Sequence, residues 1–403
     1  MNLQEKALNI HYQHKGKLSV EVKTPVSGKE DLSLIYSPGV AEPCKVIHEE
    51  ESKAYDYTVK GNSVAVVTNG TAVLGLGNIG ATAAIPVMEG KSALFKLFAD
   101  IDAFPVCLNT NDVDEIIRTV KLLEPTYGGI NLEDIKAPEC FIIEERLKKE
   151  LNIPVFHDDQ HGTAIVTASG LINALKVTGK SINNIKVVVN GAGAAGIAVV
   201  KILRSLGVPE IILCDSKGAI FEGRTYAMNP IKEEQAALTN PHQLEGPLEE
   251  VIVGADVFIG VSVADALTPD MIKTMNKDGI IFAMANPIPE IMPDNAKLAG
   301  ARVVGTGRSD FPNQINNVLA FPGIFRGALN ARAKEINEEM KIAAVYALAE
   351  FIPEEELTED NIIPSPFKPG VVDNVAKAVE RAAIESGVSQ KTSIVTEKVS
   401  ISR

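Results

Sequence analysis

The sequence has few cysteines, no long apolar run and no excess of basic residues, and each absence excludes a class of protein. Its widely spaced cysteines form no C-x-x-C pair, which argues against a disulfide framework or a structural zinc site. No apolar run approaches the roughly 18 residues of a membrane-spanning helix, and residues 1–17 contain no hydrophobic signal core. A net charge of −13 disfavours nucleic acid or an anionic membrane surface as a partner. We therefore expect a cytoplasmic protein in which oxygen atoms hold any metal.

The chain has 403 residues, more than one ordinary hydrophobic core supports, so we expect two domains. The apolar fraction of 45% and the charged fraction of 23% are typical of a globular protein. Internal repeats and low-complexity tracts are absent, which leaves the motifs as the guide to function.

The most informative stretch, residues 185–215, has the order of a dinucleotide-binding βαβ unit. Its first apolar run, residues 185–189, is β-branched like a parallel strand covered on both faces. Gly191, Gly193 and Gly196 then form G-x-G-x-x-G, which permits a tight turn, a nearby pyrophosphate and close helix packing. Asp215 ends the next apolar run, where a carboxylate can bind a ribose. We therefore predict a Rossmann-type domain with a doubly wound parallel sheet.

The motif G-x-G-x-x-G recurs in residues 75–80 and competes with the first as a nucleotide site. Pro86 and Gly90 should interrupt the helix that follows, and no acid-ended strand comes at the right interval. We interpret this motif as a turn that brings backbone close to a ligand or another helix. Lys91 then opens the next helix, where a solvated surface lysine is the ordinary expectation.

Two pairs of acidic residues each follow a short apolar strand. The four residues are Glu133, Asp134, Asp158 and Asp159. Such pairs are usually caps or solvated turns, but in one cleft they would offer hard oxygen ligands to Mg²⁺ or Mn²⁺. His157 and His161 flank the second pair in a predicted turn. We interpret them as hydrogen-bonding spacers, because an oxygen site needs no imidazole.

Three further polar residues stand at strand ends or turns. Asn286 follows an apolar strand, where the side chains of an open parallel sheet face the ligand crevice. Asn317 precedes a long helix. Tyr36 lies in Ile-Tyr-Ser-Pro, where a core or turn role is the ordinary expectation.

Seven motifs together resemble the malic enzyme family, specifically its shorter bacterial form. In chain order they are LIYSPGVAEPC, LGLGNIGATAAIPVMEGKSALFK, LEDI, VFHDDQHGTA, VVVNGAGAAG, ANPIPEI and NNVLAFPGIFRGAL, and they cover most of the chain. The resemblance implies oxidation of malate with NAD or NADP and a divalent metal, followed by decarboxylation to pyruvate. Members of this family are commonly dimeric or larger, so the resemblance also implies an oligomer.

The resemblance assigns a role to each candidate residue. Tyr36 falls on the family's general acid, Lys91 on its general base and Asp158 on the carboxylate that supports the lysine. The implied metal ligands are Glu133, Asp134 and Asp159, and the implied substrate-binding residues are Asn286 and Asn317. The candidate cofactor-binding residues are Gly191, Ala192, Gly193, Ala194, Ala195, Gly196, Asp215 and Asn286. As a base near neutrality, Lys91 needs burial or positive charge to lower its pKa from about 10.4.

One position departs from the longer members of the family. They carry an arginine that clamps the substrate carboxylate shortly before LGLG, whereas this sequence has Ala72 there. Carboxylate recognition then falls to backbone near residues 37–39 or to the asparagines. Asp215 favours NAD because a carboxylate would repel a 2′-phosphate, although Lys217 could neutralise that phosphate in NADP.

Three alternatives compete with an oxidative malic enzyme. A malic-family oxaloacetate decarboxylase or malolactic-type enzyme would keep the same residues. An amino-acid dehydrogenase would not need the two acid pairs, and a silent nucleotide-binding sensor would not need Tyr36 or Lys91. An oxidative malic enzyme differs from each of these alternatives because it converts malate to pyruvate together with reduced cofactor.

We expect an α/β protein in which residues 1–160 form an N-terminal substrate and metal domain. Residues 161–389 form the Rossmann-type NAD(P) domain with C-terminal helices, and residues 390–403 form a polar tail. The cleft between the domains should bind a small-molecule substrate, because acids from the first and asparagines from the second must meet there. We expect a homodimer or a larger homo-oligomer, with the helical N-terminus as a candidate contact.

Overall fold

The computed structural model describes residues 2–391, which form two sheets surrounded by helices. The predicted α/β class and the Rossmann-type second sheet are confirmed. The predicted polar tail, from residue 392 onward, lies outside the described residues. Between residues 2 and 391, no helix has the length and apolar character needed to cross a membrane.

The first sheet consists of four parallel strands, β1 (Ser63–Thr68), β2 (Asp102–Cys107), β3 (Gly129–Leu132) and β4 (Val155–His157). Their order is β2-β1-β3-β4. All residues of β1, β3 and β4 are buried, as expected of strands covered on both faces. Leu132 pairs with His157 at the carboxyl ends of β3 and β4. The residues that follow, Glu133 and Asp158, therefore leave the sheet side by side.

The second sheet consists of six strands, β5 (Lys186–Asn190), β6 (Glu210–Asp215), β7 (Gly218–Ala219), β8 (Val257–Gly260), β9 (Gly279–Ala283) and β10 (Ala301–Thr306). Their order is β10-β9-β8-β5-β6-β7, and only the short β7 is antiparallel to its neighbour. The chain continues from β5 to β6 on one side and returns as β8 on the other. A crevice therefore opens beyond the carboxyl end of β5, where the first glycine motif begins.

The described residues contain sixteen α-helices. Those up to the second sheet are α1 (Leu3–His14), α2 (Lys29–Ile35), α3 (Ala41–Glu49), α4 (Ala54–Tyr57), α5 (Gly80–Ala99), α6 (Val113–Leu123), α7 (Glu139–Glu150) and α8 (Asp158–Thr178). The others are α9 (Ala194–Ser205), α10 (Pro230–Ala236), α11 (Leu248–Val251), α12 (Pro269–Thr274), α13 (Pro293–Leu298), α14 (Phe321–Ala331), α15 (Glu338–Ala349) and α16 (Val371–Glu385).

One hydrophobic core connects the two sheets. Helix α8 is buried along most of its length and packs against α9 and α15. Phe95 of α5 contacts Phe321 and Phe325 of α14, with ring centroids 4.6 and 5.3 Å apart. A helix from the C-terminal part of the chain thus packs on the first sheet, and this contact fixes the two sheets relative to each other.

Helix α5 runs without interruption through Pro86 and Gly90, so the predicted break there is wrong. A proline inside a helix costs about 3 kcal/mol, but tertiary burial of an apolar face can exceed that cost. The buried face of α5 includes Ala84, Met88 and Phe95, and Lys91 lies on the same face. Lys91 is therefore a mid-helix residue that faces the interior.

Helix α8 begins at Asp158, directly after β4, although the sequence predicted a turn over residues 157–161. The predicted turn is wrong because Asp158 and Asp159 occupy the first turn of the helix, where negative charge is favourable. The predicted domain boundary at residue 160 falls inside this helix. That division of the chain stays a prediction.

Candidate active site

Lys91 lies in a buried charged cluster. Its Nζ donates a hydrogen bond to Asp158 Oδ2 at 2.6 Å and lies 2.9 Å from Glu133 Oε1. The ring centroid of Phe321 is 4.4 Å from the same nitrogen, within the range of a cation–π contact. Lys91 is only 8% exposed, so the expectation of a solvated surface lysine is wrong.

Three carboxylates beside Lys91 are close enough to share one cation. Glu133, Asp134 and Asp159 each place a ligand oxygen within 4.8 Å of the others. The Asp134 N–H donates to Asp159 Oδ2 at 2.7 Å, and Asn131 Nδ2 donates to Glu133 Oε2 at 2.9 Å. The register of β3 and β4 thus brings together two acid pairs that are far apart in the sequence.

Burial and mutual charge control the protonation of this cluster. Burial raises the pKa of Asp158 to about 7 and that of Asp159 to about 6, against the opposing charge of Lys91. The pKa of Glu133 is raised for the same reason. Burial alone would lower the pKa of Lys91, but Asp158 and Glu133 outweigh it and raise that pKa. Without a cation, Lys91 is therefore protonated at neutral pH.

The donor set fits a divalent cation such as Mg²⁺ or Mn²⁺. Carboxylate oxygens are the hard ligands that these ions prefer. The cluster holds more carboxylates than ammonium groups, and buried charge is costly unless it is compensated. A cation held by Glu133, Asp134 and Asp159 would offset that charge. Its positive charge would also oppose the effect of the nearby carboxylates on Lys91, and so lower the pKa of the Lys91 ammonium group.

The two histidines stand beside this carboxylate group. His161 Nε2 lies 2.8 Å from Glu144 Oε1 on α7, a hydrogen-bond distance, whereas His157 Nδ1 lies 3.9 Å from Asp159 Oδ2. Burial lowers the pKa of both imidazoles, to about 4 for His161. His161 thus has the hydrogen-bonded surroundings expected of a spacer. Neither buried ring nitrogen of His157 has a hydrogen-bond partner among the described residues, so the same interpretation is wrong for His157.

Asn317 lies beside the cluster at the turn that precedes α14. Gly162 separates Asn317 from Asp158, because a Cβ on Gly162 would lie 3.0 Å from Asn317 Cβ and 1.9 Å from Asp158 Oδ1. The start of α14 therefore brings Asn317 and Phe321 to the same cluster. A glycine at position 162 is required by the space that these side chains occupy.

Replacing Gly162 with alanine is expected to displace Asp158 from Lys91. We expect activity to fall on the order of 100-fold, as small misplacements of a reacting group do. We expect a loss of about 1–3 kcal/mol in the free energy of unfolding, as for overpacking. Activity assays and thermal denaturation measure both effects. Gly90→Ala is the control, since a Cβ there meets nothing within 4 Å, and wild-type activity in Gly162→Ala would contradict the prediction.

Asn286, from the second sheet, lies against the glycine loop of the first. A Cβ on Gly75 would lie 2.8 Å from the Asn286 carbonyl oxygen and 3.1 Å from Pro287 Cδ. Asn286 is exposed, so its amide is open to a ligand. The glycine motif of residues 75–80 therefore brings backbone close to a loop of the second sheet. The sequence predicted a ligand or another helix at this position.

A cavity of about 490 Å³ opens at the carboxyl end of β5, and its lining includes Gly191, Ala192 and Asp215. Helix α9 begins just beyond, at Ala194, with Ala195 in its first turn. The amino end of α9 therefore presents backbone N–H groups and a positive dipole near this cavity, which suits a phosphate.

The three glycines of this motif have different surroundings. Gly191 has a φ of +125°, and a Cβ there would lie 2.6 Å from the Val261 carbonyl oxygen. A Cβ on Gly196 would lie 1.7 Å from the Gly191 carbonyl oxygen. A Cβ on Gly193 meets nothing within 4 Å, so the middle glycine faces open space. This arrangement is the one that a nearby pyrophosphate requires.

Asp215 is held by two cationic side chains at the rim of the cavity. It accepts hydrogen bonds from Arg224 Nη2 at 2.9 and 3.0 Å and from Lys232 Nζ at 2.6 Å. Lys217 contributes its backbone N–H at 2.8 Å. Burial opposes ionisation, but the bonds from Lys232 and Arg224 prevail and lower the pKa of Asp215. Lys217 was predicted as a partner for the 2′-phosphate of NADP, and that role stays a prediction.

Tyr36 lies apart from the cluster. It caps the carboxyl end of α2, is 69% exposed, and its side chain makes no hydrogen bond or ring contact with the part of the chain that the structure describes. The structure therefore brings Lys91, Asp158 and Asn317 together with the three carboxylates and leaves Tyr36 outside.

Some residues at these sites were not predicted from the sequence. They are Asn131, Phe321, Arg224 and Lys232. Asn131 stands in the buried strand β3 two residues before Glu133, and a polar residue in so short an apolar run is a usable signal. The other three approach from distant parts of the chain, and nothing in their local sequence marks them.

Two family models match this chain, one in each part. The family model described as malic enzyme, N-terminal domain, matches residues 15–148, and the one described as malic enzyme, NAD binding domain, matches residues 160–384. A bifunctional malic/malolactic enzyme of Bacillus subtilis is 67% identical over 97% of this chain and 96% of its own length. An NAD-dependent malic enzyme of Geobacillus stearothermophilus is 57% identical over 98% of this chain and 82% of its own.

A solved structure has the same fold. The NAD-dependent malic enzyme of Thermotoga maritima superposes with a TM-score of 0.90 at 51% identity, covering 93% of this chain and 98% of that one. Both halves of the chain, their order and the glycine motif at β5 are accounted for by one family. The chain therefore belongs to the malic enzyme family of NAD(P)-dependent oxidoreductases.

Proposed function

We propose that this protein converts L-malate to pyruvate and CO₂ with reduction of NAD⁺, using Mg²⁺ or Mn²⁺. The observation that supports this most directly is the buried position of Lys91 between Asp158 and Glu133, beside a carboxylate group suited to a cation. A base next to an oxygen-ligated cation is what oxidation of a 2-hydroxy acid requires. The reaction balances, because malate gives a hydride to the cofactor and releases CO₂, and the proton that leaves the hydroxyl is matched by one that returns to the methylene carbon of pyruvate.

Each candidate residue, whether inside or outside the cluster, has a defined task in this proposal. When bound, the cation supplies Lewis-acid chemistry and the nicotinamide accepts a hydride. Lys91 Nζ accepts the proton of the substrate hydroxyl, and Asp158 orients that nitrogen through the 2.6 Å hydrogen bond. Asn286 and Asn317 bind the substrate through their amides, and Tyr36 returns a proton to the methylene carbon of the product.

We further propose the division of the chain at residue 160, with the catalytic cleft between the two parts. Asn286 and the Gly75 loop already meet across the two sheets, which supports this placement. A cytoplasmic location fits an enzyme that consumes a nicotinamide cofactor and a soluble dicarboxylate.

NAD is the preferred cofactor in this proposal because the Asp215 carboxylate lines the cofactor cavity. Asp215→Ser would leave Arg224 and Lys232 free to bind a 2′-phosphate. We expect kcat/KM for NADP⁺ relative to NAD⁺ to rise by roughly 10-fold or more, as gain of charge-assisted hydrogen bonds allows. Steady-state kinetics with both cofactors measure the ratio. The double variant Asp215→Ser with Lys232→Ala should lose much of the gain, and an unchanged ratio in Asp215→Ser would refute this account.

A malolactic reaction is the alternative, favoured by the name of the Bacillus subtilis relative, a bifunctional malic/malolactic enzyme. The same base and carboxylates would serve it, but lactate would accumulate without net reduced cofactor. An oxaloacetate decarboxylase would instead release pyruvate from oxaloacetate alone.

The test is to supply L-malate and Mn²⁺ with NAD⁺ or NADP⁺ in separate reactions. Reduced cofactor, pyruvate and lactate are then measured in each. Equal amounts of reduced cofactor and pyruvate, abolished by EDTA and by Lys91→Ala, support oxidative decarboxylation. Lactate without reduced cofactor supports the malolactic alternative. A further reaction supplies oxaloacetate in place of malate. Pyruvate formed from oxaloacetate, with no product from malate, would overturn the proposal.

A further inference from the structure

Glu290 is a fully buried carboxylate that belongs to neither group of site residues described above. Its exposure is 0%. Within residues 2–391, its side chain is bonded by two backbone N–H groups and one hydroxyl, and no cationic side chain pairs with it. Burial raises the pKa of Glu290, and the N–H groups of Ser262 and Ala285 oppose that effect. Because a buried carboxylate is costly and an apolar side chain could fill the same space, a role beyond packing is expected.

The two carboxylate oxygens of Glu290 bind two different loops of the second sheet. Oε1 accepts the Ser262 N–H at 2.8 Å, just beyond the end of β8. Oε2 accepts the Ala285 N–H at 3.0 Å, just beyond the end of β9. The fit is tight, since a Cβ on Gly260 would lie 2.4 Å from Glu290 Cδ. The carboxylate therefore fixes the loops at the carboxyl ends of two neighbouring strands relative to each other.

The Ser262 loop forms part of the cofactor cavity. Ser262 and Asn190 both line that cavity, and Asn190 Nδ2 donates a hydrogen bond to Ser262 Oγ at 2.9 Å. Asn190 is the last residue of β5 and directly precedes Gly191 of the glycine turn. One oxygen of Glu290 is thus connected, through Ser262, to the wall that faces the dinucleotide.

The Ala285 loop carries Asn286, the candidate substrate-binding residue. Ala285 directly precedes Asn286, and Glu290 closes the loop by its bond back to the Ala285 N–H. On its outer side the loop has little free space, because a Cβ on Gly307 would lie 2.8 Å from Asn286 Nδ2. The second oxygen of Glu290 therefore sets the position of Asn286 from inside the protein.

We propose that Glu290 is a positioning residue that holds Asn286 and the Ser262 loop of the cofactor cavity as one unit. This inference rests on the proposed role of Asn286 in binding malate. Hydride transfer requires the substrate carbon and the nicotinamide in a fixed geometry, and small misplacements lower the rate strongly. A carboxylate suits this task because each of its two oxygens accepts one N–H group. A glutamine would offer one oxygen and one NH₂ group, so it could satisfy only one of the two loops.

The test is a double-mutant cycle in kcat/KM for malate, at saturating NAD⁺ and Mn²⁺. We expect Asn286→Ala to lower kcat/KM on the order of 100-fold, as loss of a hydrogen bond to a charged group does. Glu290→Gln should lower it roughly 10-fold, because one loop loses its acceptor. If Glu290 acts through Asn286, the double variant should be no worse than Asn286→Ala alone. A purely structural role would make the two losses multiply, to about 1,000-fold.

Asp256→Asn is the matched control. Asp256 directly precedes β8 and accepts the Lys186 N–H at 3.0 Å, so it is also a buried carboxylate that ties two strands of this sheet, but at the amino edge. Its variant should have a lower Tm and wild-type kcat/KM. Should Glu290→Gln not fold, Glu290→Asp takes its place in the cycle, because its shorter side chain keeps the charge and reaches only one of the two loops.

The outcomes separate this inference from the proposed function. Wild-type protein that fails to oxidise malate would overturn the proposed function. With active wild-type protein, losses that multiply, or wild-type kcat/KM in Glu290→Gln, would overturn the role of Glu290 alone. Wild-type kcat/KM in Asn286→Ala would remove Asn286 from substrate binding, and the role of Glu290 with it.

Discussion

Lys91→Ala is expected to lower kcat by roughly 10³-fold, the range in which removal of a general base falls. The same change leaves Asp158 and Glu133 buried without their ammonium partner. Breaking a buried ion pair in this way costs about 3–5 kcal/mol in the free energy of unfolding. The cation-free variant should therefore unfold at a lower temperature than wild type, and Mn²⁺ should restore part of the difference by compensating the same carboxylates.

The control for this prediction is Lys96→Ala, on the same helix. Lys96 is half exposed and pairs with Asp100 and Asp102 near the surface, and exposed pairs contribute little. Its variant should retain wild-type kcat and nearly wild-type Tm. Normal turnover by Lys91→Ala would remove Lys91 from the mechanism, whatever happened to its stability.

Asp159→Asn is expected to abolish the stabilisation that Mn²⁺ gives to the protein. In wild type, Mn²⁺ at about 100 times its Kd should stabilise the folded state by about 2.7 kcal/mol and raise Tm. Substitution of residues that hydrogen-bond to metal ligands lowers metal affinity roughly 10–100-fold. Loss of a ligand itself should therefore lower the affinity by at least about 100-fold. The amide that replaces the Asp159 carboxylate retains an oxygen that can accept the Asp134 N–H bond, so the loop itself should persist.

Thermal denaturation with and without Mn²⁺ measures this effect independently of activity. Asp114→Asn is the matched control, because Asp114 is an exposed carboxylate that pairs with Arg146 on the surface. Its variant should show the full Mn²⁺-dependent rise in Tm. An Asp159→Asn protein with the same rise would place the cation elsewhere.

The dinucleotide unit was predictable because its parts are adjacent in the chain. Strand β5, the Gly191 turn, helix α9 and strand β6 follow one another within residues 185–215, and each depends on local pattern. The pairing of Asp215 with Arg224 and Lys232 was not predictable, since those cations come from segments without a distinctive motif.

Helix α5 shows how tertiary packing overrides a local signal. Pro86 and Gly90 predict a break, and a break would make Lys91 a surface residue at a new helix start. Burial of Met88 and Phe95 keeps the helix continuous, and Lys91 then falls on their face at helical spacing. Ala84, Met88, Lys91 and Phe95 are spaced by four, three and four residues, which is the signal that would have located Lys91 in the interior.

By itself, the sequence determined the α/β class, the glycine turn at the cofactor cavity and the residue types of the site, because these depend on hydrophobic period and short-range turn chemistry. The tertiary structure decided which of those residues meet. Strand register places Glu133 beside Asp158, and continuous packing of α5 turns Lys91 towards both of them. It also leaves the Tyr36 side chain exposed to solvent, because contacts between distant segments follow from the packing of the whole chain.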